Sequence, residues 1–157
     1  AHAVLEAITR DQYAEFGRIG IMKVEGKKGI RLPNGLYLKY PNLHLAESEQ
    51  NGKVKVEYVY NTKRGKQLVP TRIYGGKVIE NVCQALARIV IGEQMLMVAK
   101  KYRVVMTVHD AIACVVPEAE RDEAIKYVNE CMRWRPEWAK TLPLSCESGV
   151  GRSYGDC

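Results

Sequence analysis

Zinc-ligand spacing is absent from this chain. None of its five cysteines (Cys83, Cys114, Cys131, Cys146, Cys157) forms a Cys-x-x-Cys pair, and only three histidines accompany them. An odd and scattered set of thiols gives neither a zinc site nor a disulfide framework, and it fits a reducing interior. Cys83 and Cys114 lie within apolar runs and read as small core residues. No apolar stretch approaches the ~18 residues that span a bilayer. Ala1–Arg10 lacks the basic start and long apolar stretch of a secretory leader. The expectation is a soluble, cytoplasmic chain with no membrane partner. Internal repeats and low-complexity linkers are missing as well, which leaves one ordinary domain or a large piece of one. What is present suffices for a core: 46% of the residues are hydrophobic, too many for wholesale disorder.

Charge is the first positive feature. The net +6 resides entirely in residues 1–80, with 14 Lys/Arg against 8 Asp/Glu, whereas residues 81–157 balance at 10 of each. The excess is densest from Lys53 to Lys77, where Lys53, Lys55, Lys63, Arg64, Lys66, Arg72 and Lys77 face Glu57 alone. Such a patch suits a polyanion, because neutralised phosphates release condensed counterions. A solvated hairpin edge guarded by lysines has the same composition.

Periodicity divides the chain further. Val4 to about Gly20 places Leu5, Ile8, Tyr13, Phe16 and Ile19 near helical spacing and predicts a helix. Gly26–Gly29 reads as a basic loop, and Ile30–Tyr40 as two short strands around a Pro-Asn-Gly turn. Lys53–Tyr60 alternates polar and apolar, as a half-buried strand does. Asn61–Gly65 is expected to turn the chain, with Gln67–Tyr74 as the return strand of a basic β-hairpin. Lys77 to about Lys101 carries the longest helical stripe, wide enough to predict extensive burial. Tyr102–Val108 and Ile112–Val116 read as two buried strands. Pro117 and the acids after it start a second long helix reaching about Trp134. Leu144–Glu147 is expected as a strand and Gly149–Cys157 as a tail. The order implies an α+β class, an antiparallel sheet packed against helices. It reads as a single domain over 1–157, with a basic β region at 30–74 followed by the helix, hairpin, helix and tail of 75–157.

The two β-branched strands flank His109-Asp110, with no Gly or Asn to relax the turn. A carboxylate held at such a tip can ligate a hard cation such as Mg²⁺ with little reorganisation. It can equally serve only to initiate the turn.

Val108-His109-Asp110 between apolar strands resembles the third motif of family A (polymerase I-type) DNA polymerases. Tyr74-Gly75-Gly76-Lys77-Val78-Ile79-Glu80-Asn81-Val82-Cys83-Gln84-Ala85 resembles the helix leading into that motif, in the version carried by bacteriophage and prophage enzymes. Cys131-Met132-Arg133-Trp134 and Glu147-Ser148-Gly149-Val150-Gly151-Arg152-Ser153-Tyr154 resemble the family's C-terminal end. The likeness is firm from Arg72 to Cys157, weaker over Leu32–Leu43 and thin before that. It implies a palm-like fold and roles for individual residues. Asp110 corresponds to one of two aspartates that hold the catalytic Mg²⁺ ions. His109 corresponds to a residue near the primer terminus, and Gln84 to a minor-groove contact near the nascent pair. Lys77, Arg88 and Arg152 are either solvated charges or phosphate contacts, and Lys63, Arg64 and Lys66 are DNA contacts of the basic hairpin. Two positions depart from the pattern: Ala111 stands where relatives carry Glu, and Glu80 where many carry Asn. The family's first metal-binding aspartate and its triphosphate-binding helix are not found before His109. The expectation is therefore the C-terminal palm portion of a DNA-directed DNA polymerase of phage kind, acting in the cytoplasm of the host cell. Its partners are primer-template DNA, dNTP and the rest of the polymerase, namely fingers and upstream palm. The isolated chain is expected to be inactive. The alternatives are a non-catalytic DNA-binding module with the same fold and a scaffold whose basic hairpin meets a protein.

Overall fold

The computed structural model describes residues 1–17, 20–50 and 53–157, so Arg18 and Ile19 of the expected first helix, and the side chain of Lys53, lie outside the described residues. The chain divides into two compact units, Ala1–Leu86 and Ala87–Cys157.

The first unit begins with α1 (His2–Thr9), which buries Leu5 and Ile8. It ends well before Gly20. Thr9 turns its hydroxyl back onto the Leu5 carbonyl at 2.8 Å, and Asp11 enters the left-handed region at φ 56. The Asp11 carboxylate then accepts the Lys27 backbone N–H at 2.7 Å, which holds the chain out of the helix. Tyr13 and Phe16 fall instead in β1 (Tyr13–Phe16), paired with β2 (Met22–Glu25). Four residues of alternating exposure fit either period, and cross-strand pairing decides between them. After one 3-10 turn at Gly26–Lys28, β3 (Ile30–Arg31) and β4 (Tyr37–Leu38) complete an antiparallel sheet in the order β1-β2-β3-β4. The Pro-Asn-Gly turn lies where the sequence places it.

A second antiparallel sheet contains β5 (His44–Gln50), β6 (Lys53–Arg64) and β7 (Gln67–Ile73) in that order. The sequence reading missed β5, because a run with Glu47, Ser48 and Glu49 and no β-branched residue carries little strand signal. The β6–β7 turn is also displaced. Arg64 pairs with Gln67, so the two-residue turn is Gly65-Lys66, and Asn61–Arg64 continue the strand. The β-branched pair Thr62–Val69, with the Thr62 hydroxyl 2.8 Å from that of its diagonal neighbour Thr71, carries the ladder through the polar stretch. Pro70 is tolerated because β7 pairs on one side only.

The core of this unit gathers Leu5, Ile8, Val24, Ile30 and Val78. Val78 belongs to α2 (Gly75–Val98), which begins two residues before the expected Lys77 and ends before the expected Lys101. Asn81 in its second turn donates to the Tyr40 hydroxyl at 3.2 Å, and the Tyr40 ring meets Tyr60 edge-on. Cys83 is exposed rather than core, since it lies off the buried Val78–Val82 stripe.

In the second unit the end of α2 joins β8 (Arg103–Val108), β9 (Ala111–Val115) and α3 (Arg121–Arg133) around Val98, Tyr102, Ala124 and Cys131. Buried Gln94 donates to the carbonyls of Met132 (2.7 Å) and Trp134 (3.0 Å), which the end of α3 leaves unpaired. One 3-10 turn at Glu118–Glu120 precedes α3.

β8 and β9 form a two-stranded sheet with a bulge between Val104 and Met106. They are not buried strands. Val104, Ile112 and Cys114 pack on the core, while Val105, Met106, Val108 and Val115 are exposed. Val-rich composition reports strand propensity and says nothing of whether a second layer covers the other face. Leu144–Glu147 is likewise not a strand. Its surroundings bond through side chains instead: Arg135 donates to the carbonyls of Leu142 (2.5 Å) and Leu144 (3.3 Å), and Asn129 to Ser148 (3.2 Å). The tail folds back on itself, so a Cβ at Gly149 would lie 2.6 Å from the Cys157 backbone. The class is α+β with antiparallel sheets, three of them rather than one among the described residues.

Candidate functional site

His109 and Asp110 are the two turn residues of the β8–β9 hairpin, closed by the Val108–Ala111 pair. A turn with positive φ at its first residue is normally occupied by glycine. Here that residue is His109, at φ 52. A non-glycine side chain in this region costs on the order of 1–3 kcal/mol and persists where the surroundings impose it. Asp110 follows on the same tip, exposed, with no ion-pair partner among the described residues. Its two oxygens are the donor type that Mg²⁺ takes. No group of three His, Cys, Asp or Glu side chains converges to hold a metal among the described residues. Among the described residues, the tip presents the one carboxylate of Asp110. Ala111 is exposed beside it and adds no oxygen.

The register of the β5–β7 sheet sorts its charges by face. Directly opposed residues share a face and neighbours along a strand alternate. Lys55 (opposite Ser48), Lys63 (opposite Leu68) and Arg72 (opposite Val59) therefore share one face. The carboxylate of that face, Glu57, is held by Arg72 at 3.1 Å and by the Ser48 hydroxyl at 3.3 Å. Arg64 points to the other face, along with Val54, Val56 and the acids Glu47 and Glu49. Lys66 lies in the turn. The expected trio of Lys63, Arg64 and Lys66 is thus not one patch. Lys55 and Arg72 are the partners Lys63 has on its own face, and the two-residue alternation along β6 is the signal that identifies them.

On α2, Lys77, Glu80 and Gln84 lie on one helical face. Lys77 contacts the Glu80 carboxylate at 2.7 Å, and Gln84 donates to the same oxygen at 3.3 Å. The hydrogen bond to Glu80 holds the Lys77 ammonium above its usual range. Gln84 and Lys77 are thus brought together through Glu80, the position that departs from the resemblance. Arg88 is exposed in the second unit, on the same helix. Arg152 lies 3.6 Å from Glu118 with both side chains fully in solvent, a pairing worth little. Trp134 and Trp138 are half-buried. A groove of about 450 Å³ lined by Met97, Tyr127, Cys131 and Trp134 does not include the hairpin tip.

No protein-family model matches the chain, and no solved structure matches it. A DNA polymerase of Bacillus phage SP02 does: it is 32% identical over 126 residues, which cover 80% of this chain. The chain spans about a fifth of that relative's length, 19%. Over most of its length, then, this chain is related to a segment of a phage DNA polymerase.

Proposed function

We propose that this chain is the C-terminal palm portion of a family A DNA polymerase, and that Asp110 contributes one of the carboxylates that hold Mg²⁺ for template-directed addition of deoxynucleotides. The observation that carries the reading is the hairpin tip: an exposed, unpaired carboxylate beside a histidine held at φ 52. A strained, solvent-facing turn on a short rigid hairpin is where catalytic geometry is commonly stored. Mg²⁺ binds through one or two protein carboxylates plus substrate phosphates. A single aspartate here agrees with a second carboxylate and a triphosphate-binding helix supplied by the rest of the polymerase. When bound, the metal ions neutralise the attacking and leaving oxygens of phosphoryl transfer.

The remaining roles follow from position. His109 meets the primer terminus next to Asp110. Gln84 offers its amide to the minor-groove edge of the nascent pair, releasing Glu80. Lys77 reaches a phosphate by the same exchange, and Arg88 does so directly. Lys63 and Lys66 meet the duplex backbone without reading sequence, as a replicative enzyme requires. Partners are primer-template DNA, dNTP and the fingers and upstream palm. No helix among the described residues is long and apolar enough to cross a membrane, and the host cytoplasm is the proposed site of action.

The test is Asp110→Asn in the intact polymerase that contains this segment. The amide keeps the shape and removes the charge that holds the metal. Nucleotide addition is expected to fall by about 10²–10³-fold or more, with DNA affinity nearly unchanged. An Asn variant of ordinary activity leaves the non-catalytic DNA-binding module as the better reading.

A further inference from the structure

In the first sheet, Lys23 of β2 stands directly opposite Arg31 of β3. Opposed residues of an antiparallel pair share a face, and like charges there repel. The neighbouring acids serve Arg31 and leave Lys23 without an ion-pair partner among the described residues. Glu25, two residues along on the same face, accepts the Tyr37 hydroxyl at 2.6 Å and is shared between Arg31 (3.5 Å) and Lys28 (3.8 Å). The Tyr37 hydrogen bond, with help from the two cations, holds its carboxyl below the usual range. Glu15 stands opposite Lys23 in β1, but its carboxylate is directed at Gly20, where a Cβ would lie 2.8 Å from its oxygen. It makes no ion pair with Lys23 among the described residues. Lys23 is nonetheless half-buried.

Between the two cations lies a cleft of about 150 Å³, walled by Ile21, Leu32, Pro33 and Gly35. The turn that forms its far wall is closed on itself: Leu32 N–H donates to the Leu36 carbonyl at 2.7 Å, and Gly35 N–H to the Leu32 carbonyl at 2.9 Å. Lys23 and Arg31 are the charged residues that line the cleft.

We propose that this cleft is a docking point for a single phosphoryl group. Arg31 supplies a planar fork of N–H donors and Lys23 a point charge, a combination suited to tetrahedral oxyanions. The volume is well below the ~300–1,000 Å³ of sites that enclose a whole small molecule, so a phosphate fits and a nucleotide does not. The anion gives half-buried Lys23 the counter-charge that neither Glu15 nor Glu25 supplies, with Arg31 directly opposite as the second donor. The proposal rests on these two cations and the cleft, and holds whether or not Asp110 is catalytic. The phosphoryl group comes either from a free phosphate compound or from a nucleic-acid backbone.

The experiment titrates the 157-residue chain separately with inorganic phosphate, with tripolyphosphate and with duplex DNA, following backbone amide shifts by NMR. The wild type is compared with Lys23→Gln, Arg31→Gln, the double variant, and Lys28→Gln as a cation outside the cleft. Saturable shifts at Lys23, Arg31 and Gly35 are expected, with affinity at least about tenfold weaker in the double variant and unchanged in Lys28→Gln. Loss with phosphate or tripolyphosphate alone identifies a free phosphate compound. Loss with duplex DNA, with the salt slope falling by about two units, identifies the backbone. Without ligand, Lys23→Gln, which leaves the Arg31–Glu25 pair intact, is expected to melt about 1–3 °C higher, because the charge opposite Arg31 is gone. The single variants keep the test decisive if the double variant fails to fold. Equal affinity of wild type and variants for all three ligands overturns the proposal. So does an equal loss in Lys28→Gln, which means diffuse attraction, or a lower melting temperature of Lys23→Gln.

Discussion

The β6–β7 and β8–β9 hairpins solve one geometric problem with different residues. Each is closed by a two-residue turn whose first residue has positive φ: Gly65 at φ 60 in the first, His109 at φ 52 in the second. Glycine takes that conformation without strain, and histidine does not. The basic hairpin therefore holds its charges on a relaxed frame. The other hairpin keeps a strained side chain at its tip. If the proposed roles hold, the patch can lose a lysine and keep its field, whereas the tip depends on single atoms.

The comparison breaks first if the β8–β9 tip works alone. The isolated chain is expected to add no nucleotide to a primer, since it offers one carboxylate and no converging ligand group among its described residues. Extension by the purified chain, free of contaminating polymerase, would refute this. By contrast, the basic sheet should still bind DNA in the isolated chain, and salt-titrated binding assays measure that directly.

A smaller effect sharpens the account of the basic hairpin. Lys55→Gln with Lys63→Gln should weaken DNA binding uniformly across sequences and lower the salt slope by about two units. Arg64→Gln, on the opposite face with Glu47 and Glu49, should change the slope by well under one unit. Equal effects from both faces would mean that the sheet acts as an unstructured cloud of charge. Melting temperatures should barely move, because these side chains are exposed.

The smallest expected effects are on stability, and they have opposite signs. His109→Gly should stabilise the chain by about 1 kcal/mol, and Gly65→Ala should destabilise it by a similar amount. Denaturant midpoints of the two variants check both signs together. If His109→Gly destabilises instead, the imidazole is a packing residue of the turn and its strain is compensated locally.

Legibility of the fold in the sequence followed the strength of local signals. The long stripe of α2 and the acid-headed start before α3 were readable because each spans several turns. Tyr13–Phe16 was not, because four residues carry too little periodicity to oppose a spurious helical spacing. β5 was unreadable for a different reason: a polar strand is held by its partner's ladder, and nothing in His44–Gln50 announces that partner. At the candidate site, His109-Asp110 was legible from the missing glycine between two β-branched runs. The division of the basic residues into two faces was not, because one misplaced turn, at Asn61–Gly65 instead of Gly65-Lys66, conceals how far the alternation runs.

By itself the sequence determined the composition of each element and the identity of the residues at both hairpin tips. Those depend on backbone preferences and nearest neighbours along the chain. Only tertiary structure decided which faces are covered. Val104 packs on the core and Val105 meets solvent, although the two are alike in sequence. It also decided that Lys23 and Arg31, eight residues apart in the chain, stand side by side across a cleft. Register and burial arise from contacts between segments, and the free energy of those contacts is not written in any single segment.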